Sequence, residues 1–198
     1  MMKMNRTKMF SLAMALSASL VVSVSATNAQ AWEQWIDYGY RGYSETGETW
    51  RNYPYPGAHD GHYRYQSRYA DVGRSVHRYG TATFTADPLP FHGIYQVGIT
   101  FRASENRTSN AEFVVVKDQN GNLQEHRVNQ LGDGMDSQTL GLYEYAKGQR
   151  PYVKLVDNAN DTDSDCVDAA YFKLVEIVPD PPVTGAAIDL LLLDKRKK

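Results

Sequence analysis

One cysteine in 198 residues, Cys166, leaves this chain with no internal disulfide, so stability has to come from packing. Cys166 stands at the start of the last apolar segment and reads as a buried, inert thiol. Pairing between molecules in an oxidising compartment is the alternative. Charge of one sign is also scarce: 21 Lys and Arg against 23 Asp and Glu give a formal net charge of −2. That balance argues against a nucleic-acid binder, and against a protein held on an anionic membrane by charge. Past the first 31 residues no apolar run is long enough to cross a bilayer. Several catalytic signatures are missing: the nucleophile elbow, the Gly-rich phosphate loop, the paired-carboxylate motif, and a third ligand at zinc spacing.

What is present begins with an export signal. Lys3, Arg6 and Lys8 precede an apolar stretch from Met9 to Val24 and then Ala29-Gln30-Ala31, the order of a secretory leader with a small-residue cleavage site. Cleavage after Ala31 leaves Trp32 as the first mature residue; a cut after Ala26 is the second choice. A retained anchor fits less well, because the apolar core is short and Ser-rich. No Cys follows the leader closely, which excludes lipid attachment there. The expected location is therefore outside the cytoplasm: periplasmic, extracellular or on the cell surface. Losing three basic residues and no acid takes the formal charge from −2 to −5. The remaining chain of about 165 residues suffices for one domain with its own core.

The mature chain reads as strands with almost no helix. In Arg78 to Ala86, Ala82, Phe84 and Ala86 share one face while Thr81, Thr83 and Thr85 share the other. Beyond Pro88 and Pro90, GIYQVGITF sets Tyr95, Val97, Ile99 and Phe101 against Gln96, Gly98 and Thr100. Phe113 to Lys117 and Leu123 to Gln130 flank the turn Asp118-Gln119-Asn120-Gly121 and should pair antiparallel. Leu140 to Ala146, Tyr152 to Val156 and Cys166 to Val178 complete seven or eight short strands. This pattern predicts an all-β fold, a β-sandwich of jelly-roll, galactose-binding-like type. From Trp32 to Tyr69 the chain is crowded with Gly, Tyr, Trp and Pro. This stretch is expected to wrap one end or edge, with Ile36 to Tyr38 and Tyr63 to Gln66 as short pairing pieces. The Pro-led tail, residues 179–198, reads as disordered or as a small packing segment, and its Pro, apolar, basic order faintly resembles a bacterial surface-sorting tail.

A set of motifs recurs through this pattern: IDYGYRGYSETGETWR up to Trp50; YPGAHDGHYRY with Tyr63, Arg64 and Tyr65; Asn106-Arg107 with Asn110-Ala111; Val128-Asn129-Gln130; Leu140-Gly141 with Tyr143; and Asp168-Ala169-Ala170 with Phe172. In this order they resemble the golvesin C-terminal-like domain, also described as a xanthan-lyase carbohydrate-binding-like domain, over residues 36 to 178. The resemblance implies a β-sandwich of exported bacterial proteins, often appended to polysaccharide-degrading or cell-wall enzymes and thought to bind carbohydrate. Gln138-Thr139 departs from the family, which often carries a Trp before its Leu-Gly, so an aromatic contribution from that strand is in doubt. The acidic loop from Asp157 to Asp165 is a second departure.

Sugar binding suits the composition. Sugar rings present apolar faces rimmed by hydroxyls, which flat rings with polar tips and planar polar side chains complement. The chain has 14 Tyr and 3 Trp, and Trp35, Tyr38, Tyr40, Tyr43, Trp50, Tyr53 and Tyr55 lie in the Gly-rich segment. Packing and edge cover is an equally open role for these rings. The candidate carbohydrate-binding residues are Trp50, Tyr53, Tyr63, Arg64, Arg107 and Asn129. In this reading Arg64 and Arg107 pair with carboxylates of an acidic polysaccharide; the other reading of Arg107 is a loop brace. Asp157, Asp161, Asp163 and Asp165 are hard oxygen ligands of the kind Ca²⁺ takes, but Cys166 and Phe172 stand where an EF-hand needs Gly and Glu. A solvated acidic turn is the default for that loop and a structural calcium site the alternative. No other cofactor is expected.

The function expected is a secreted, non-catalytic module binding polysaccharide or cell-surface glycan. One alternative is a structural or protein-interaction module of the cell surface. Another is a small polysaccharide lyase, in which His62, Tyr63 and Arg64 would converge in one cleft to abstract a proton. His77, His92 and His126 have no partner visible in sequence and read as surface or edge residues.

Overall fold

The computed structural model describes residues 31–47, 50–66, 80–156 and 164–179. The leader, His77, Asp157, Asp161, Asp163 and nearly all of the tail lie outside the described residues. Twelve strands run in order: β1 (Glu33–Asp37), β2 (Tyr43–Thr46), β3 (Trp50–Pro54), β4 (His62–Gln66), β5 (Thr81–Thr85), β6 (Gly93–Ala103), β7 (Ala111–Val116), β8 (Leu123–Val128), β9 (Gly134–Tyr145), β10 (Tyr152–Val156), β11 (Cys166–Val167) and β12 (Ala169–Ile177).

The strands form an all-β sandwich. One sheet has the order β1-β12-β6-β9 and a second β2-β5-β10-β7-β8, and the strand pairs within both are antiparallel. The period-two pattern explains the burial. Tyr95, Val97, Ile99 and Phe101 of β6, with Phe172 beside them in the same sheet, share one core with Phe84, Phe113, Val115, Val153 and Leu155 of the five-stranded sheet, as the apolar alternation predicts. A third small sheet, β11-β4-β3, closes one end and sends Tyr63 into the same core. The end is sealed by a side chain acting as a strand: fully buried Gln130 donates to the Cys166 carbonyl (2.6 Å) and accepts from its N–H (2.9 Å).

Two strands sit where the sequence suggested irregular chain. Both β2 and β3 come from the Gly- and Tyr-rich segment, and neither has an apolar face long enough to be seen in sequence. β9 starts six residues before the expected Leu140, because Gly134 to Thr139 lies half-buried to exposed on the sheet edge and shows no apolar alternation. Cys166 is fully buried, held between the Arg102 N–H and carbonyl at 3.2 Å each, and burial pushes its thiol up to about 11. That burial removes the intermolecular disulfide reading. His92 and His126 do have partners: His92 Nε2 lies 2.9 Å from Glu144, and His126 Nε2 2.6 Å from the Tyr143 hydroxyl.

Candidate functional site

The outer face of the four-stranded sheet carries the most developed surface. Antiparallel register places Trp35 of β1 beside Tyr171 of β12, Tyr171 beside Gly98 of β6, and Gly98 beside Thr139 of β9, so one row crosses all four strands. Gly98 lets the row lie flat. A Cβ there would sit 2.3 Å from the Tyr171 hydroxyl oxygen and 2.6 Å from Cε1, so the ring occupies the space a side chain would take. Tyr171 reaches Thr139 Oγ1 at 3.1 Å, and its ring lies 4.9 Å from that of Trp35. Thr139 gives this row a hydroxyl at β9.

The next row holds Asp37, Ala169, Thr100 and Ser137, and a tight loop covers one side of it. Residues Tyr55 to Gly61 fold back through hydrogen bonds from the Tyr55 N–H to the Gly61 carbonyl, from Ala58 to Tyr55, and from Gly61 to Ala58. Gly61 has φ +77°, a conformation suited to glycine, which is why Asp60-Gly61 ends this loop. Asp168 anchors the loop: its two oxygens accept the His59 N–H at 3.2 and 3.0 Å, and Oδ2 accepts Thr100 Oγ1 at 2.7 Å. The His59 ring stacks on Trp35 at 4.8 Å and 16°, with Nδ1 3.3 Å from Asp37 Oδ2.

Between loop and sheet lies an open cavity of about 390 Å³, lined by Trp35, His59, Thr100, Ser137 and Asp168 together with Gly57, Met135 and Asp136. That volume falls in the lower range of small-ligand sites. Asp37 is 2% exposed and Asp168 1%. Burial, reinforced by the charge of Asp168, pushes the Asp37 carboxyl up to about 6, and burial also raises that of Asp168. Asp37, His59 and Asp60 place one ligand atom each within 4.8 Å of one another, a mixed nitrogen and oxygen set that could hold a transition metal more readily than Ca²⁺.

The six residues expected to bind sugar do not gather at this cavity. Strand pairing between β3 and β4 sets Trp50 opposite Gln66, Asn52 opposite Arg64 and Tyr53 opposite Tyr63. Alternation therefore puts Trp50 and Arg64 on one face, and Tyr53 and Tyr63 on the other. Arg64 is 7% exposed and forks onto Glu45 with two 2.6 Å hydrogen bonds, beneath the Tyr38 ring. Tyr43 also hydrogen-bonds Glu45. Arg107, 5% exposed, donates to Asn106 Oδ1, Ser164 Oγ and the Tyr63 hydroxyl, so it braces its loop against β4. Trp50 Nε1 donates to the Thr46 carbonyl, and Asn129 accepts the Leu131 N–H within its own turn. Of the six, Tyr53 keeps a ring half in solvent, at 50% exposure, packed 5.6 Å from that of Tyr63. Asp165, the described member of the acidic loop, is buried beside β11 and does not stand in a solvated turn.

The lyase arrangement is not formed either. His62, Tyr63 and Arg64 are consecutive in β4, so Tyr63 points to the opposite face from its neighbours and the three cannot meet in one cleft. The rings of the Gly-rich segment divide between the two roles: Tyr43 packs on Phe84 and Tyr38 on Tyr43, while Tyr38, Tyr40 and Tyr53 remain exposed. Sequence analysis singled out Trp35 and the Asp168 motif, and His59 lies within the YPGAHDGHYRY motif, but nothing in the sequence joins the three. The Asp168-Ala-Ala-Tyr171 motif was the available signal, and only the strand register sets it beside β1.

The family model of the golvesin C-terminal domain matches residues 35–176, more than half of the chain. The chain belongs to the golvesin C-terminal domain family. Among solved structures, this golvesin-type domain is similar to a Paenibacillus xanthan lyase, with 24% identity and a TM-score of 0.57 over 74% of this chain. The match spans 13% of that enzyme's length, and at this identity it shows a common fold. A CBM35 from Cellvibrio japonicus Abf62 matches at 12% identity and a TM-score of 0.49, over 71% of this chain and 92% of that one. A family 35 carbohydrate-binding module from Clostridium thermocellum matches at 12% and 0.49, over 72% and 98%. Comparison with curated proteins yields no match. No helix among the described residues is long and apolar enough to cross a membrane.

Proposed function

We propose that this golvesin-type domain is an exported, non-catalytic module that holds polysaccharide or cell-surface glycan on the outer face of its four-stranded sheet. The observation that carries the reading is the cavity beside Trp35. It joins an aromatic row, Trp35 with Tyr171, to the polar groups of Thr100, Ser137 and His59 in an open site of about 390 Å³. An apolar platform next to groups that both donate and accept hydrogen bonds is what a pyranose ring requires. Export rests on the leader motif.

The glycan is neutral in this reading. The cations that would meet a uronate, Arg64 and Arg107, are buried and already engaged, whereas the cavity is lined by Asp136 and Asp168. A carboxylate-bearing sugar would meet like charge there.

Affinity electrophoresis of the exported chain through gels containing neutral or acidic polysaccharides tests this. Retardation is expected in at least one neutral polysaccharide, weakened about tenfold or more by Trp35→Ala and unchanged by Trp50→Ala. Free migration in every gel would turn the reading to a protein-interaction module and the search to protein partners.

A further inference from the structure

Beyond Met135 and Gly57, at the end of the cavity, further rings follow. Gly57 lines it and is wedged against the next ring: a Cβ at this position would meet Tyr55 Cε1 at 3.0 Å and Met135 Cγ at 3.2 Å. Tyr55 lies 4.7 Å beneath the guanidinium of Arg102, which stands two residues along β6 from Thr100 and on the same face. From Tyr55 the step to the Tyr63 ring is 6.3 Å, and from Tyr63 to Tyr53 it is 5.6 Å. The line dips into the core at Tyr63, which is buried, and comes to the surface on either side of it: at the part-exposed Tyr55 beside the cavity, and at the half-exposed Tyr53 on β3, an edge strand of the small sheet. Arg102 does not turn the line into an anion site, because Nη2 is tied to Asp133 at 2.8 Å.

We infer that the site is a track and not a pocket for a chain end: Tyr53 forms a second subsite that stacks a sugar several units away from the one held at Trp35. The inference rests on the glycan reading above and adds to it the ligand class, the interior of a neutral polysaccharide chain. Tyr53 suits this role physically. Half its ring already rests on Tyr63 and Tyr65, which keeps it oriented, and the other half is open to a ligand face. A ring held in place by its neighbours loses little conformational entropy on binding. Two subsites on one ligand also act by effective concentration, so affinity should climb with chain length once both are spanned.

The test uses cello-, manno- and xylo-oligosaccharides of two to six units, titrated calorimetrically into the exported chain and its Tyr53→Ala variant. At least one series is expected to bind, with Kd falling about tenfold or more between dimer and hexamer. Tyr53→Ala should erase that gain while leaving the dimer's Kd unchanged. The variant removes a half-exposed ring, so thermal unfolding should stay close to the parent's. Affinity independent of length, or a hexamer indifferent to Tyr53→Ala, overturns the track and leaves the glycan reading standing. No binding by any of the three series counts against the glycan reading itself and takes the track with it.

Discussion

Asp37 concentrates the electrostatics of the site in one residue. Its carboxyl is held at about 6 from an ordinary 3.8, chiefly by burial. A raised folded-state value means the neutral form is the one the fold favours. The stabilisation is therefore complete below about pH 4 and is lost as pH rises through about 6. Asp168, raised by the same cause, acts in the same direction. Urea unfolding at pH 4.5 and pH 7.5 should show a loss on the order of 2 kcal/mol across that interval. Asp37→Asn, which keeps the oxygen that accepts the Tyr38 N–H, should flatten the difference. Equal pH dependence in parent and variant would contradict this assignment. At this scale the sequence was only partly legible. It singled out residue types suited to sugar and offered a loop brace as the other reading of Arg107; that reading holds, and Arg64 is a buried brace as well. A guanidinium's partners, Glu45 and Ser164, lie 19 and 57 residues away in the chain, and nothing local announces them.

Strands with a buried face could be read directly. β5 and β6 alternate apolar and polar residues, β7 and β10 are short apolar-rich runs, and each overlaps the segment read from the sequence. β2, β3 and the first half of β9 escaped because edge strands with two half-exposed faces have no such signature. The row of Trp35, Tyr171, Gly98 and Thr139 belongs to this scale as well, since it exists only through register among four strands. Gly98 is its hinge point: Gly98→Val would push the Tyr171 ring aside and break its contact with Thr139. Because the ring sits flat against the backbone, the expected loss is about 1 to 3 kcal/mol in unfolding free energy, with altered fluorescence from the adjoining Trp35. An unchanged denaturation midpoint would mean that the ring does not depend on the bare backbone beneath it.

The whole molecule answers the question of why a chain with one cysteine holds together. Two antiparallel sheets bury a continuous core, and the third sheet caps one end through Gln130 and Tyr63. The Tyr55 to Gly61 loop folds over the outer face of the four-stranded sheet, and the cavity lies between the two. The class of fold was legible from strand spacing, and the family from the order of its motifs. Which residues line the cavity was not, because four of the six candidates split across the two faces of β3 and β4 while the cavity draws on β1, β6, β9, the residue before β12 and one loop.

The central claim is that glycan is held at Trp35, and amide and indole chemical-shift mapping during titration with a neutral hexasaccharide that retards the protein tests it most directly. The account predicts shifts in the Trp35 indole N–H, His59, Thr100 and Ser137, extending to Tyr55 and Tyr53, with the Trp50 indole unmoved. Shifts confined to Trp50, Arg64 and Asn129 would contradict it.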